Sequence, residues 1–154
     1  MVAPGSSYKI APATWRDLNA LRQIEKACFP IDAWPLFDLI GVLTLPNVVR
    51  LKAVVYEKGV SQMVGFIAGD IHADGVAWIA TIGVLPNYRG QGIGAALLTA
   101  CENQLKAPVI RLCVRQSNEV AIHMYRRFGY TQADLWRGYY EDGENALVME
   151  KRKI

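Results

Sequence analysis

The 154-residue sequence has little of what marks the specialised protein classes. It has three cysteines, Cys28, Cys101 and Cys113, far apart and odd in number. That excludes a disulfide framework or a spaced zinc-ligand set and favours a reducing compartment. It has two histidines and no His/Cys cluster, so no metal is expected. No uncharged run approaches the roughly 20 residues a bilayer needs. The opening MVAPGSS lacks the basic and apolar regions of a secretory leader. A soluble, cytoplasmic chain without a membrane partner is the expectation. Clustered basic residues are scarce too. Lys and Arg number 17 against 14 acids, for a net +3, and only Lys151–Lys153 form a run. This speaks against a nucleic-acid partner and suits a small anionic ligand. No Gly-Lys-Ser/Thr is present, so a P-loop is excluded.

The composition is 52% hydrophobic, enough for a sizeable core. Residues 1–7 read as a disordered lead-in and 8–154 as one domain. YKIAPAT predicts a strand. TWRDLNALRQIEKACF predicts a helix capped by Thr14, with Leu18, Leu21, Ile24, Ala27 and Cys28 at helical spacing. A short helix is expected from about Pro35. VVRLKAVVYE and QMVGFIAGDIH predict a hairpin through KGVS, and GVAWIATIGVL a third strand after Asp74-Gly75. A helix from Gln91 to about Lys106 follows, then a strand, PVIRLCVR. SNEVAIHMYRRFG predicts a helix capped by Ser117 or Asn118 and closed by Gly129. YTQADLWRGYY and NALVMEKR end the order as strands joined around EDGE. A helix between two strands of one sheet makes them parallel neighbours, with a ligand crevice at their C-terminal ends.

The stretch NYRGQGIGAALL places Gly90, Gly92 and Gly94 at alternate positions just before a helix. Glycine costs helix stability, so three of them at a start need a reason. The first N–H groups of a helix lack internal acceptors, and its dipole adds about half a positive charge there. Glycines let phosphate oxygens come close, and Arg89 adds a cation. The physical reading is a phosphate or pyrophosphate site; the plain alternative is a tight turn. GQGIGA formally fits a dinucleotide fingerprint, with Arg115 about 20 residues on. However, PNYR separates the strand from the first glycine, and too little chain remains for a dinucleotide sheet.

IGVLPNYRGQGIGAALL resembles motif A of the GNAT superfamily, the acetyl-CoA-dependent N-acetyltransferases, as Arg89-Gly90-Gln91-Gly92-Ile93-Gly94. VRQSNEVAIHMYRRFGY resembles the next motif of that family, and GYYEDGENALVMEK is similar to the ending of its RimI and archaeal Ard1 group, which acetylate protein N-termini. The resemblance implies a mixed α/β, acyl-CoA N-acyltransferase fold: a central, mostly antiparallel sheet with helices on both faces. It implies acetyl-CoA as cosubstrate, paired by the backbone of Ile82, Gly83 and Val84 and wrapped at its pyrophosphate by Gly90 to Ala95. It implies a protein or peptide N-terminus as acceptor. A small-molecule amine acceptor and a non-catalytic acetyl-CoA-binding module are the rival readings. None of these features sets an oligomeric state.

By the same resemblance, Asn118 meets the cofactor arm; as a residue, it is equally a helix cap. Tyr125 shares a helical face with Ala121 and Phe128, a packing position. The resemblance puts its hydroxyl at the thioester sulfur, as general acid to the departing thiolate. A thiol is a stronger acid than tyrosine, so full proton transfer is uphill by about 2 kcal/mol, and a strengthening hydrogen bond is the safer role. RimI-type enzymes carry Glu where this chain has Cys113, in LCVR. Between Arg111 and Arg115 on one strand face, Cys113 is either a thiolate, capable of ping-pong transfer, or a small packed residue. The expected carboxylate base is therefore missing. Glu141, Asp142, Asp32 and His123 are substitutes, none compelling. Phe29 and Trp34, with Pro35, and Tyr139 and Tyr140 fall in the two segments that flank the acceptor entrance in the family; each is equally a core edge. His72 and Arg16, Asp17, Arg22 and Lys26 read as solvated surface.

Overall fold

Lys58 and Gly59 both have positive φ, at +50° and +77°. Two such residues form the turn whose twist matches an antiparallel pair, so Glu57 faces Val60 directly. The hairpin closes in two residues rather than through all of KGVS. The computed structural model describes residues 7–153. The expectation of disorder for residues 1–7 lies outside them, apart from Ser7.

In chain order the elements are β1 (Tyr8–Pro12), α1 (Leu18–Cys28), α2 (Leu36–Thr44), β2 (Val48–Glu57), β3 (Val60–Ile71), β4 (Ala77–Val84), α3 (Ile93–Gln104), β5 (Val109–Arg115), α4 (Glu119–Arg127), β6 (Thr131–Trp136) and β7 (Ala146–Arg152). This is the predicted order. The seven strands run β1-β2-β3-β4-β5-β7-β6 across one mixed sheet. As the crossover helix demands, β4 and β5 are parallel. Their ladder holds only two pairs, Ala77 with Ile110 and Trp78 with Arg111.

The chain divides into two compact units. One runs to Asp70 and resumes over Ala80–Leu105; the other holds Ile71–Ile79 and the chain from Lys106 on. In the first, Leu21 and Ile24 of α1 and Leu39, Val42 and Leu43 of α2 pack on Phe66 and Ala68 of β3. α3 buries Ile93, Leu97, Leu98 and Cys101. A Cβ on Gly65 would stand 3.0 Å from the Leu97 side chain, so glycine lets α3 lie close to β3. In the second unit β7 pairs antiparallel with both β5 and β6, and α4 buries Ile122 and Tyr125. Among the described residues no helix is long and apolar enough to cross a membrane, and no group of three or more His, Cys, Asp or Glu could hold a metal ion.

Three local expectations are corrected. The first helix does not start at Thr14: a 3-10 turn over Trp15–Asp17 precedes α1. Thr14 caps that turn, its hydroxyl accepting the Arg16 N–H at 3.3 Å, while Asp17 Oδ2 accepts the Thr14 N–H at 2.8 Å. Asp17 is not free surface, because Lys52 Nζ lies 3.0 Å from its Oδ1. β6 stops at Trp136 instead of reaching Tyr140, because Gly138 turns the chain at φ +61° and its N–H donates to Asn145 Oδ1 at 2.9 Å. Asp17→Ala removes both the cap and the ion pair, and is expected to cost about 1–2 kcal/mol in a urea unfolding curve.

Candidate active site

Gly92 precedes α3 in the left-handed region, at φ +83°, and no side chain caps the helix. This starts α3 at Ile93 rather than Gln91. Ala96 is the first residue whose N–H reaches back within the helix, to Gly92 O at 3.0 Å. The N–H groups of Ile93, Gly94 and Ala95 are thus the start-of-helix donors that an anion would use. Gly90 is also left-handed, at φ +78°, with open space where a side chain would stand. Gln91 is exposed, whereas the Ile93 side chain is in the core and leaves only its backbone to a ligand.

The Arg89 charge does not stand beside this loop as an isolated cation. Its Nε donates to Val84 O at 2.9 Å, and its Nη2 lies 3.5 Å from Cys28 Sγ. Cys28 donates to the same carbonyl at 3.3 Å. A Cβ on Gly83 would meet Cys28 Sγ at 3.0 Å, so glycine allows the end of α1 to sit on β4. Ile82 and Gly83 are partly buried and Val84 is buried. Phe29 caps α1 through its N–H to Glu25 O at 2.8 Å, and Trp34 packs against the edge of the first core.

The same corner holds a group that the sequence did not single out. Glu25 is 2% exposed, and its Oε1 accepts the Thr81 hydroxyl at 2.9 Å. Its other oxygen, Oε2, is buried with no hydrogen bond of normal geometry. Burial raises its pKa, against partial relief from the Thr81 hydroxyl and the Trp34 backbone N–H. The signal was available: Leu21 and Glu25 are four apart, so an acid lies on the apolar stripe of α1.

In the second unit, Asn118 is the α4 cap, its Oδ1 accepting the Ala121 N–H at 3.2 Å. Tyr125 is 5% exposed and meets Tyr130 edge to face at 5.8 Å. Its hydroxyl pKa is raised by burial and, secondarily, by Tyr140. His123 is exposed, as expected. The cations flanking Cys113 are both spent on acids. Arg111 pairs with Glu150 at 2.8 Å; Arg115 pairs with Asp142 at 2.9 Å and Glu144 at 2.8 Å. Burial then pushes the Cys113 thiol up to about 11, so the thiolate reading gives way to the packed one. The Asp142 carboxyl is held low by the Glu144 backbone N–H and by Arg115. Glu144 lies at about 2, through Ser117 and Arg115. Neither is suited to take a proton near neutrality.

Tyr139 and Tyr140 belong to a ladder of rings that includes residues not expected at a site. His72 stacks on Trp78 at 5.9 Å, Trp78 on Trp136 at 5.8 Å, and Trp136 meets Tyr139 at 5.3 Å. Tyr139 meets Tyr140 at 5.1 Å, and Arg115 lies 4.2 Å over the Tyr140 ring. His72 is exposed, as predicted, but is one end of this ladder rather than plain solvated surface.

Residues 18–130 match the model of the Acetyltransferase (GNAT) family. The chain belongs to this family. An N-alpha-acetyltransferase of Sulfurisphaera tokodaii is 41% identical over 166 residues, covering 94% of this chain and 93% of that protein. The N-terminal acetyltransferase A complex catalytic subunit of Arabidopsis thaliana is 29% identical over 92% of this chain and 76% of its own length. Among solved structures, the ribosomal-protein-S18-alanine N-acetyltransferase from Escherichia coli superposes with a TM-score of 0.82 at 27% identity, over 95% of this chain and 94% of that one. This GNAT chain is accordingly an acetyl-CoA-dependent N-acetyltransferase, with the mixed α/β fold of the family.

Because the folded pKa of Glu25 is raised above its ordinary value of 4.5, the native state favours the protonated carboxyl. The stability that this contributes is present below that value and is lost as pH rises through the folded pKa. Glu25→Gln should therefore gain in Tm relative to the unmutated chain as pH rises above 4.5. A Tm difference that does not change with pH would contradict the assignment.

Proposed function

We infer that this chain is a protein N-α-acetyltransferase, moving the acetyl group of acetyl-CoA directly to the α-amine of a protein or peptide N-terminus. The observation that carries this reading is the loop into α3: two left-handed glycines and three start-of-helix N–H groups, in a chain that aligns along nearly its whole length with an N-alpha-acetyltransferase. The acetyltransferase domain is taken as residues 8–154 and the compartment as the cytoplasm.

The backbone N–H groups of Ile93, Gly94 and Ala95 bind the pyrophosphate. Gly90, Gln91 and Gly92 shape its cradle, and Arg89 braces the cradle against Val84 rather than reaching out alone. Ile82, Gly83 and Val84 present strand backbone to the pantetheine arm, as an added strand would. Asn118 serves that arm from the start of α4. Phe29 and Trp34 after α1, and Cys113, Tyr139 and Tyr140 of the second unit, are each assigned to acceptor binding.

Tyr125 assists the departing sulfur. Its raised pKa makes full proton release harder still, so it acts as a hydrogen-bond donor whose bond strengthens as sulfur gains charge. The ammonium gives its proton to solvent water, and the free amine attacks the thioester carbonyl. The C–S bond breaks to release CoA as thiolate while the nitrogen sheds its second proton to water, leaving the amide. With Cys113 a thiol and Arg115 already matched by two acids, no covalent acyl-enzyme is required. At neutral pH, deprotonating an α-amine costs about 1 kcal/mol and a lysine about 4.6 kcal/mol. A site in which Asp142 and Glu144 are held charged by their partners therefore works best on the weaker base, the N-terminal amine.

Peptides with a free N-terminus should release CoA at least about tenfold faster than N-blocked peptides whose only amine is lysine. The reverse order, or turnover only with small polyamines, would overturn the acceptor. Tyr125→Phe should lower kcat about ten- to hundredfold with KM for acetyl-CoA little changed, the loss of one hydrogen bond to a charged group. Cys113→Ala should keep most of the activity in the same thiol-release assay.

A further inference from the structure

Two segments of the first unit meet at a single carboxylate on α1. Glu25 Oε1 accepts the Thr81 hydroxyl of β4 at 2.9 Å, and the Trp34 backbone N–H donates toward the same group. Glu25 and Thr81 are both buried. Around this bond α1 lies directly on β4. Cys28, about one turn after Glu25, donates to Val84 O at 3.3 Å, and a Cβ on Gly83 would come within 3.4 Å of Ile24 Cγ2. The C-terminal half of α1 thus holds the strand at Thr81, Gly83 and Val84.

Packing does not ask for an acid at position 25. Leu21 and Ile24, its neighbours on the helix, are core residues, and a buried carboxyl costs stability where an apolar side chain does not. What an apolar side chain lacks is the capacity to accept from two donors on separate segments. Thr81 immediately precedes Ile82 to Val84, the backbone assigned to the pantetheine arm. Trp34 belongs to the segment after α1 assigned to the acceptor.

We propose that Glu25 is a positioning residue for acetyl transfer: through the Thr81 hydroxyl and the Trp34 N–H it holds the cofactor strand and the acceptor segment in one fixed relation, so that the amine arrives aligned with the thioester carbonyl. Glu25 touches neither substrate. The inference rests on the N-α-acetyltransferase reading and adds to it the residue that sets the geometry between the two substrates. Alignment of this kind acts on kcat, since a small misplacement of bound reactants slows attack without loosening the anion cradle at α3.

The test measures CoA release from acetyl-CoA with free-N-terminus peptides, together with the Tm of each variant. Glu25→Met fills the same space and removes both bonds; kcat should fall at least about tenfold, with KM for acetyl-CoA changed by less than about twofold. Thr81→Val removes only the strand bond at nearly constant shape and should lower kcat about fivefold. The double variant should be no slower than Glu25→Met alone, because the Thr81 bond is already gone. Glu25→Gln should recover most of the loss, its amide oxygen accepting the Trp34 N–H and its amide N–H donating to the Thr81 oxygen. Lys26→Gln, on the exposed side of α1, is the control and should match the unmutated chain. Four results overturn the inference and leave the N-α-acetyltransferase reading standing: an unchanged kcat in either Glu25→Met or Thr81→Val, losses that follow Tm, single-variant losses that multiply in the double variant, or a Glu25→Gln no faster than Glu25→Met. Should Glu25→Met fail to fold, Thr81→Val alone decides by the same fivefold criterion. An unmutated chain that acetylates none of the peptides overturns both.

Discussion

Three N–H groups at the start of α3 have no acceptor inside their own helix, and much of the first unit is arranged around that constraint. Gly92 turns the chain left-handed and so ends the preceding loop without a capping side chain. Gly90 keeps the approach open. An uncapped helix start is a cost to a folded chain unless an anion takes the donors. Here the helix behind it is secured independently, by Ile93, Leu97, Leu98 and Cys101 in the core. The loop can therefore remain unsatisfied by the protein while the fold stays intact.

The end of β4 meets this loop through a single carbonyl. Val84 O receives both the Arg89 Nε and the Cys28 thiol, so the loop, the strand end and the C-terminal end of α1 are tied at one atom. Glycine at position 83 makes that closeness possible. Deeper in the same corner, Glu25 carries a buried carboxyl oxygen with no hydrogen bond of normal geometry, a stability cost of the kind proteins keep near functional sites. The second unit balances charge differently. Arg111 and Arg115 are matched by Glu150, Asp142 and Glu144, which leaves the half-buried Cys113 a thiol, and a row of rings runs from His72 to Tyr140.

Most elements were legible because their signals are local. The periodicity of α1 and α4, the turn residues Lys58-Gly59 and the glycine loop act over a few residues, and so did the β-α-β order that makes β4 and β5 parallel. Boundaries failed where a turn, cap or side-chain contact that periodicity does not report intervened. The N–H of Gly138 finds Asn145 and ends β6 early. Asp17 finds Lys52 across the chain and ceases to be surface. Of the candidate site, the loop and the two aromatic segments could be named from motifs, but not what each side chain holds.

The sequence by itself determined the order of elements, the left-handed glycines before α3, the absence of an acid at position 113 and the family. Those depend on residue type and short spacing. Only the tertiary structure decided the charge states: that the cations beside Cys113 are consumed by acids 27 to 39 residues along the chain, and that Glu25 lies buried. Charge state follows from which groups lie within a few ångströms and how far water is excluded, and spacing along a chain encodes neither.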